Sequence, residues 1–412
     1  MKGIPGFPAG VVAILLLASS ALLHGQANPS AEQLAKWLKR FPEADANKDG
    51  ALSIEEALAY RDKVMGARKG SKGNSGSRGG APRQFEVDPR WETKDFPESA
   101  VSLQSPEKIL EIYGEQVGGK KAAVTSFPKQ ENGVLRIVGT GHSFMAPGYR
   151  TLPTICKGAG FEQPLLTHIG GGITGSARYK WEQENGIFQF DGKPVPKLLA
   201  SIANAEWDAM MWGPYFNDRP EYYTCWIEFC LQYHPKMKFY LSDAWPQLFQ
   251  LGKTPESEKF FTDEVFDQMN GEKLAQYGTL LEAIRERTIE DVYILPTSNA
   301  MTIAAKRFLR GELPGIEGVH RAVGGKERSL WRDVLGHLGP GFDRLEGYVF
   351  YATLYGKSPV LIEGEVPFKG GGDFPSGDLD RIFREIAWEA VIQHPLSGIK
   401  DEDSDGVADP RG

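Results

Sequence analysis

The chain is expected to fold as an α/β protein whose central parallel sheet is covered by helices on both faces. Three observations predict this. Short apolar runs recur at 134–139 (VLRIVG), 164–169 (PLLTHI), 207–212 (WDAMMW), 237–242 (MKFYLS) and 292–296 (VYILP). Longer amphipathic stretches lie between or after them, at 221–233, 262–287, 301–310 and 345–355. The two kinds alternate, and strands that alternate with helices pair in parallel because each connection carries a helix across the sheet. Composition agrees: 412 residues, 41% hydrophobic and 25% charged, suit a large core and more than one module.

In chain order, the first segment reads as an export signal. Lys2 precedes the apolar run 11–23 (VVAILLLASSALL), and Gly25-Gln26-Ala27 offers a small-x-small cleavage site. The run is short for a membrane span, and no second apolar run of about 18 residues follows. Residues 1–27 are therefore expected to be a signal peptide, leaving a secreted or periplasmic protein without a membrane partner. A net charge of −7 argues against nucleic acid, since phosphate neutralisation needs a basic face. Cys156, Cys225 and Cys230 show no CxxC spacing and are expected to be buried free thiols.

Residues 28–65 hold the stretch DANKDGALSIEE between two helical segments. Asp45, Asn47 and Asp49 offer side-chain oxygens at loop positions 1, 3 and 5, and Gly50 allows the sharp turn at position 6. Ala51 would bind through its carbonyl, Ser53 directly or through water, and Glu56 as the bidentate ligand at position 12. Hard oxygen ligands in this pattern suit Ca²⁺. The segment resembles the EF-hand family, although only one such loop is present. Residues 66–85 contain six Gly and five Lys/Arg with no acid, which reads as a flexible linker. Residues 86–399 form the α/β domain. Residues 400–412 form a separate acidic tail, in which Asp401, Asp403, Asp405, Gly406 and Asp409 give a weaker echo of a calcium loop.

Within the α/β domain, the first apolar strand ends in Gly139-Thr140-Gly141, followed by His142-Ser143-Phe144. A Ser at the carboxyl end of a buried strand, before a helix start, is placed for nucleophilic attack, with backbone N–H groups available to an oxyanion. The same Ser could simply cap the helix. A nucleophilic Ser needs a base and an orienting group. Asp333 and His337 lie close together downstream, in LWRDVLGHLGPGFDRLEGYVFYATLYGKSP.

Strand–GxS–helix near the start of the domain, with Asp and His near its end, resembles the SGNH (GDSL-like) hydrolases over 135–359. That resemblance implies a three-layer α/β/α, flavodoxin-like fold and an esterase or deacylase that needs no cofactor for catalysis. It implies Ser143 as nucleophile, His337 as base and Asp333 as orienter. It also implies an oxyanion hole built from the N–H of Ser143, a glycine N–H from Gly171 in the 170–172 run, and the side chain of Asn217. The sequence departs from the family pattern in three places. The nucleophile block reads GHS, three residues separate Gly213 from Asn217, and three residues separate Asp333 from His337. His320 is the alternative base; His168 reads as a packing or substrate-orienting residue and His142 as a structural one. Trp181, Trp212 and Tyr215 are either cleft or core. The expected substrate is a small-molecule or glycan ester. The competing class is a non-catalytic, calcium-stabilised binding or scaffold protein on an inactive hydrolase fold, and turnover of a simple aryl acetate separates the two.

Overall fold

The structure is a computed structural model that describes residues 34–35, 38, 42–53, 56, 105–116, 124–169, 188–190, 193–195, 198–213, 220–286, 288, 291–367 and 374–410. The chain divides into two compact units, residues 1–78 and 79–412. The expected signal peptide and linker lie outside the described residues, as do Gly171, Trp181, Tyr215 and Asn217.

In the larger unit, helix α1 (Pro106–Gln116) precedes strand β1 (Ile137–Gly141), helix α2 (Ala146–Gly158) and strand β2 (Leu165–Ile169). A short hairpin, β3 (Phe188–Phe190) with β4 (Lys193–Val195), leads to helix α3 (Leu199–Asn204). Strand β5 (Ala209–Trp212), helix α4 (Pro220–Tyr233), strand β6 (Lys238–Ser242), helix α5 (Asp263–Arg285), strand β7 (Val292–Leu295) and helix α6 (Thr297–Leu309) follow in strict alternation. A small parallel pair, β8 (Gly318–His320) and β9 (Ser329–Trp331), precedes helices α7 (Phe342–Tyr355) and α8 (Gly377–Gln393).

The main sheet has five parallel strands in the order β2-β1-β5-β6-β7. Its two faces are set by the two-residue period of a strand. Ile137, Ala209, Met211, Tyr240 and Leu295 face one core with α2, α6, α7 and α8. Val138, Met210, Trp212, Phe239, Leu241, Val292 and Ile294 face the other, with α1, α3, α4 and the second half of α5. Because both faces are covered, the strands read as continuous apolar runs. The fold is a three-layer α/β/α arrangement. From β1 the chain crosses first to β2 on one side and later to β5 on the other. The crevice at the carboxyl end of β1 is therefore the topological switch point, where such sheets hold ligands.

Residues 400–410 are not a separate tail. The N–H of Ser358 donates to the Gly406 carbonyl and that of Ala408 to the Gly356 carbonyl, both at 2.7 Å. The Trp388 indole N–H donates to Asp401 at 2.9 Å. Backbone pairing of this kind leaves no trace in composition, and the acids alone suggest a solvated end. All three cysteines are buried and free, and burial pushes the thiols of Cys156 and Cys230 upward in pKa, so both stay protonated.

Candidate active site

β1 approaches its neighbours too closely for side chains at its glycines. A Cβ on Gly139 would lie 2.6 Å from the Tyr149 hydroxyl, and one on Gly141 2.9 Å from Cβ of Met145. The Tyr149 hydroxyl donates to the carbonyls of Thr140 and Met211, tying α2 to β1 and β5. The chain then turns into α2. The His142 carbonyl accepts the N–H groups of Met145 and Ala146 at 3.0 and 3.2 Å, and Pro147 occupies the first turn, where no N–H is needed. Ser143 is left exposed at the tip of this turn. Among the described residues its N–H meets no acceptor, so this donor is available at the mouth of the crevice.

The opposite wall is the loop after β9. His337 Nε2 lies 2.8 Å from the Ser143 hydroxyl. His337 Nδ1 lies 2.9 and 3.0 Å from the two oxygens of Asp333. The structure thus brings Ser143, His337 and Asp333 into one hydrogen-bonded row. The third intervening residue between Asp333 and His337 is absorbed by a turn. The Gly336 N–H donates to the Asp333 carbonyl at 2.8 Å, and Gly336 takes φ 87°, a conformation that only glycine adopts freely. Val334 and Leu335 are pushed outward, each 62% exposed. The Leu335 and His337 N–H groups donate to Asp333 Oδ1 at 3.1 and 3.3 Å.

Partial burial would raise the Asp333 carboxyl, but the hydrogen bonds from the His337 side chain and backbone and from Arg332 outweigh it and hold the group below the usual carboxylate range. Asp333 is therefore ionised wherever His337 needs an acceptor for its Nδ1 proton. Phe144 packs edge-on against the His337 ring at 5.1 Å and tilts over Trp245 at 4.9 Å. Trp245 in turn donates its indole N–H to the Gly336 carbonyl. These two aromatic residues were missed in the sequence. The only signal for Trp245 was its position just beyond β6, in SDAW.

Among the described residues, no other histidine hydrogen-bonds into this row. His320 is buried, its Nδ1 accepts the Ala322 N–H at 3.2 Å, and burial lowers its pKa to about 4. His168 is buried at the end of β2, and His142 packs beside Phe144 at 5.1 Å. Trp212 is core: it stacks on Phe239 at 5.4 Å. Within the helix layer, Glu346 of α7 accepts the Gly148 N–H of α2 at 2.6 Å. Burial, ahead of the Gly148 backbone bond that opposes it, raises this carboxyl well above its usual range.

In the smaller unit, the 45–56 loop is closed by its own acids. Asp45 accepts the N–H groups of Lys48, Asp49 and Gly50, and Glu56 accepts those of Ala46, Asn47 and Ser53. The Ser53 backbone bond, ahead of its hydroxyl and the Asn47 and Ala46 N–H groups, lowers the Glu56 carboxyl. Lys48 and Gly50 take φ 61° and 83°, the sharp turn that such a loop needs. Asp45, Asn47, Asp49, Ser53 and Glu56 carry side-chain oxygens, the hard donor type that Ca²⁺ takes. The tail repeats this scheme: Ser404 and Gly406 take φ 60° and 82°, and Asp401 accepts the N–H groups of Asp405 and Gly406. Among the described residues, Asp401, Asp403 and Asp405 form the one acidic group whose oxygens gather within 4.8 Å; Asp45, Asp49 and Glu56 are more spread.

No protein-family model and no curated protein matches the chain. Among solved structures, the chain is similar to a DUF4886 family protein from Bacteroides uniformis, at 11% identity and a TM-score of 0.41, over 63% of this chain and 95% of that one.

Proposed function

We propose that the larger unit is a secreted serine hydrolase of the SGNH type, acting on ester bonds through an acyl-enzyme. The observation that carries the reading is the row Ser143–His337–Asp333, with links of 2.8 and 2.9 Å. Those are the distances at which an imidazole can take a proton from a hydroxyl while a carboxylate fixes its tautomer. Ser143 Oγ attacks the acyl carbon as its proton passes to His337 Nε2. The oxyanion that forms is held by the N–H of Ser143, with Gly171 and Asn217 as the further donors. Collapse expels the alcohol, which takes the proton from His337. Water, deprotonated by His337, then releases the acid and restores Ser143. The substrate is an acylated small molecule or glycan outside the cytoplasm.

The test is turnover of an aryl acetate by the parent and by Ser143→Ala, together with labelling by a fluorophosphonate. The parent should turn over and label at Ser143, and the variant should do neither while keeping its melting temperature. Equal turnover by both would remove Ser143 as nucleophile. The 45–56 loop is read as an EF-hand site for Ca²⁺, with Asp45, Asn47, Asp49, Ala51, Ser53 and Glu56 as ligands. EGTA should abolish calcium binding by this loop and leave ester turnover within about twofold, less than the 1.4 kcal/mol of a tenfold change. A large calcium-reversible loss of turnover would mean that the ion serves catalysis.

A further inference from the structure

We propose that the ester taken at Ser143 carries an anionic group, a carboxylate, and that Arg150 binds it. The inference rests on the hydrolase reading above and adds the charge of the substrate. A groove of about 520 Å³ opens beside Ser143 and His337. Among the described residues, four guanidinium groups line it, from Arg150, Arg321, Arg332 and Arg344, against the two carboxylates of Glu327 and Asp343. Three of the four are engaged. Arg321 pairs with Glu327 at 2.7 Å, Arg344 with the buried Asp380 at 2.8 Å, and Arg332 with Asp333 at 3.3 Å.

Arg150 is different. Among the described residues it has no ion pair and no hydrogen bond, and it is exposed to the groove. It lies on the face of α2 that Pro147 and Thr154 also turn to the groove, four residues and so roughly 6 Å along the axis from the helix start at Ala146. Glu346 lies near enough to feel its charge but forms no ion pair with it; its carboxyl group accepts the Gly148 N–H instead. Asp343 stands in the first turn of α7, where the helix dipole already offsets part of its charge. A planar guanidinium fork with no hydrogen-bonded or ion-paired partner among the described residues, on the wall of a cleft that starts at the nucleophile, matches a carboxylate by charge and by two parallel hydrogen bonds.

The test compares esters that differ only in charge. One pair is an acetylated methyl glucuronoside and its neutral carboxamide, which places the carboxylate on the alcohol side. The second is the 4-nitrophenyl half-ester of glutaric acid and its methyl ester, which places it on the acyl side. In the full chain, kcat/KM should favour the charged member of one pair by about tenfold. The pair that responds locates the charge. Arg150→Gln should bring that ratio close to one, Arg150→Lys should keep most of it, and raising the salt from about 0.02 M to about 0.5 M should shrink it. The ratio is taken within one preparation, so partial unfolding cannot imitate its loss. A parent ratio near one in both pairs, or a ratio that survives in Arg150→Gln, overturns the proposal and leaves the hydrolase reading intact. If no ester of either pair is turned over, the hydrolase reading itself fails, and this inference with it.

Discussion

Asp333 shows why a residue can be legible while its geometry is not. Its type and its nearness to His337 mark it in the sequence, yet three intervening residues depart from the spacing usual in the hydrolases that the sequence resembles. The departure is explained by one torsion: Gly336 at φ 87° turns the chain back, so that Nδ1 of His337 reaches both carboxylate oxygens. Asp333 is held below the ordinary carboxylate range. Its contribution to stability is therefore present above the unfolded value near 3.9, and is lost only as pH falls through a still lower folded value. Above about pH 5 Asp333 cannot set an acid limb of the rate profile. Asp333→Asn keeps the shape but lets the amide impose the wrong tautomer on His337. In the proposed ester hydrolysis kcat should fall by roughly 10³–10⁴ with KM little changed. A loss of less than about tenfold, measured on an aryl acetate, would show that Asp333 does not orient the base.

At the scale of elements, the 332–338 loop is held by one bond of its own and by two from the segment past β6. The Arg332 N–H donates to the His337 carbonyl at 2.8 Å, Gln247 donates to the Leu335 carbonyl at 3.2 Å, and Trp245 donates to the Gly336 carbonyl. Two of these supports come from the segment just past β6, where Ala244 takes φ 51°, unusual for a residue other than glycine. Strands and helices were legible here because their apolar periodicity is local. The supports were not, because a hydrogen bond between residues about ninety positions apart has no sequence period. Trp245→Phe keeps most of the ring packing on Phe144 but leaves the buried Gly336 carbonyl without its donor, at a cost of about 1–3 kcal/mol. If Trp245 positions the loop, kcat should fall about tenfold at unchanged KM. Amide exchange at Gly336 and His337 should also quicken. Unchanged kcat and unchanged exchange together would make Trp245 an ordinary core residue.

Over the whole molecule, the sheet was readable because alternate residues of each strand are committed to alternate cores. Met210 and Trp212 pack on one side, Ala209 and Met211 on the other. The histidines were less readable, because burial is a property of the finished fold. His320 and His394 are both buried, and desolvation lowers each to about 4; near His320 the Asp333 charge opposes this without overcoming it. A base with a depressed folded pKa contributes stability that is complete above its unfolded value near 6.5 and is lost as pH falls toward the folded value. Asp243 works the other way. It faces His394 at 3.8 Å, and burial raises it to about 7, so its contribution is retained at low pH and lost as pH rises. His394 is thus partly compensated by its neighbour, whereas His320 stacks on Trp331 at 6.3 Å with its Nε2 unbonded among the described residues. His320 should therefore be a main source of acid lability, costing on the order of 2 kcal/mol by about pH 4.5. His320→Gln retains an acceptor for the Ala322 N–H and cannot charge. Denaturant unfolding at pH 7 and at pH 4.5 should show a smaller stability difference for the variant than for the parent. An equal difference in both would place the acid lability in the carboxylates instead.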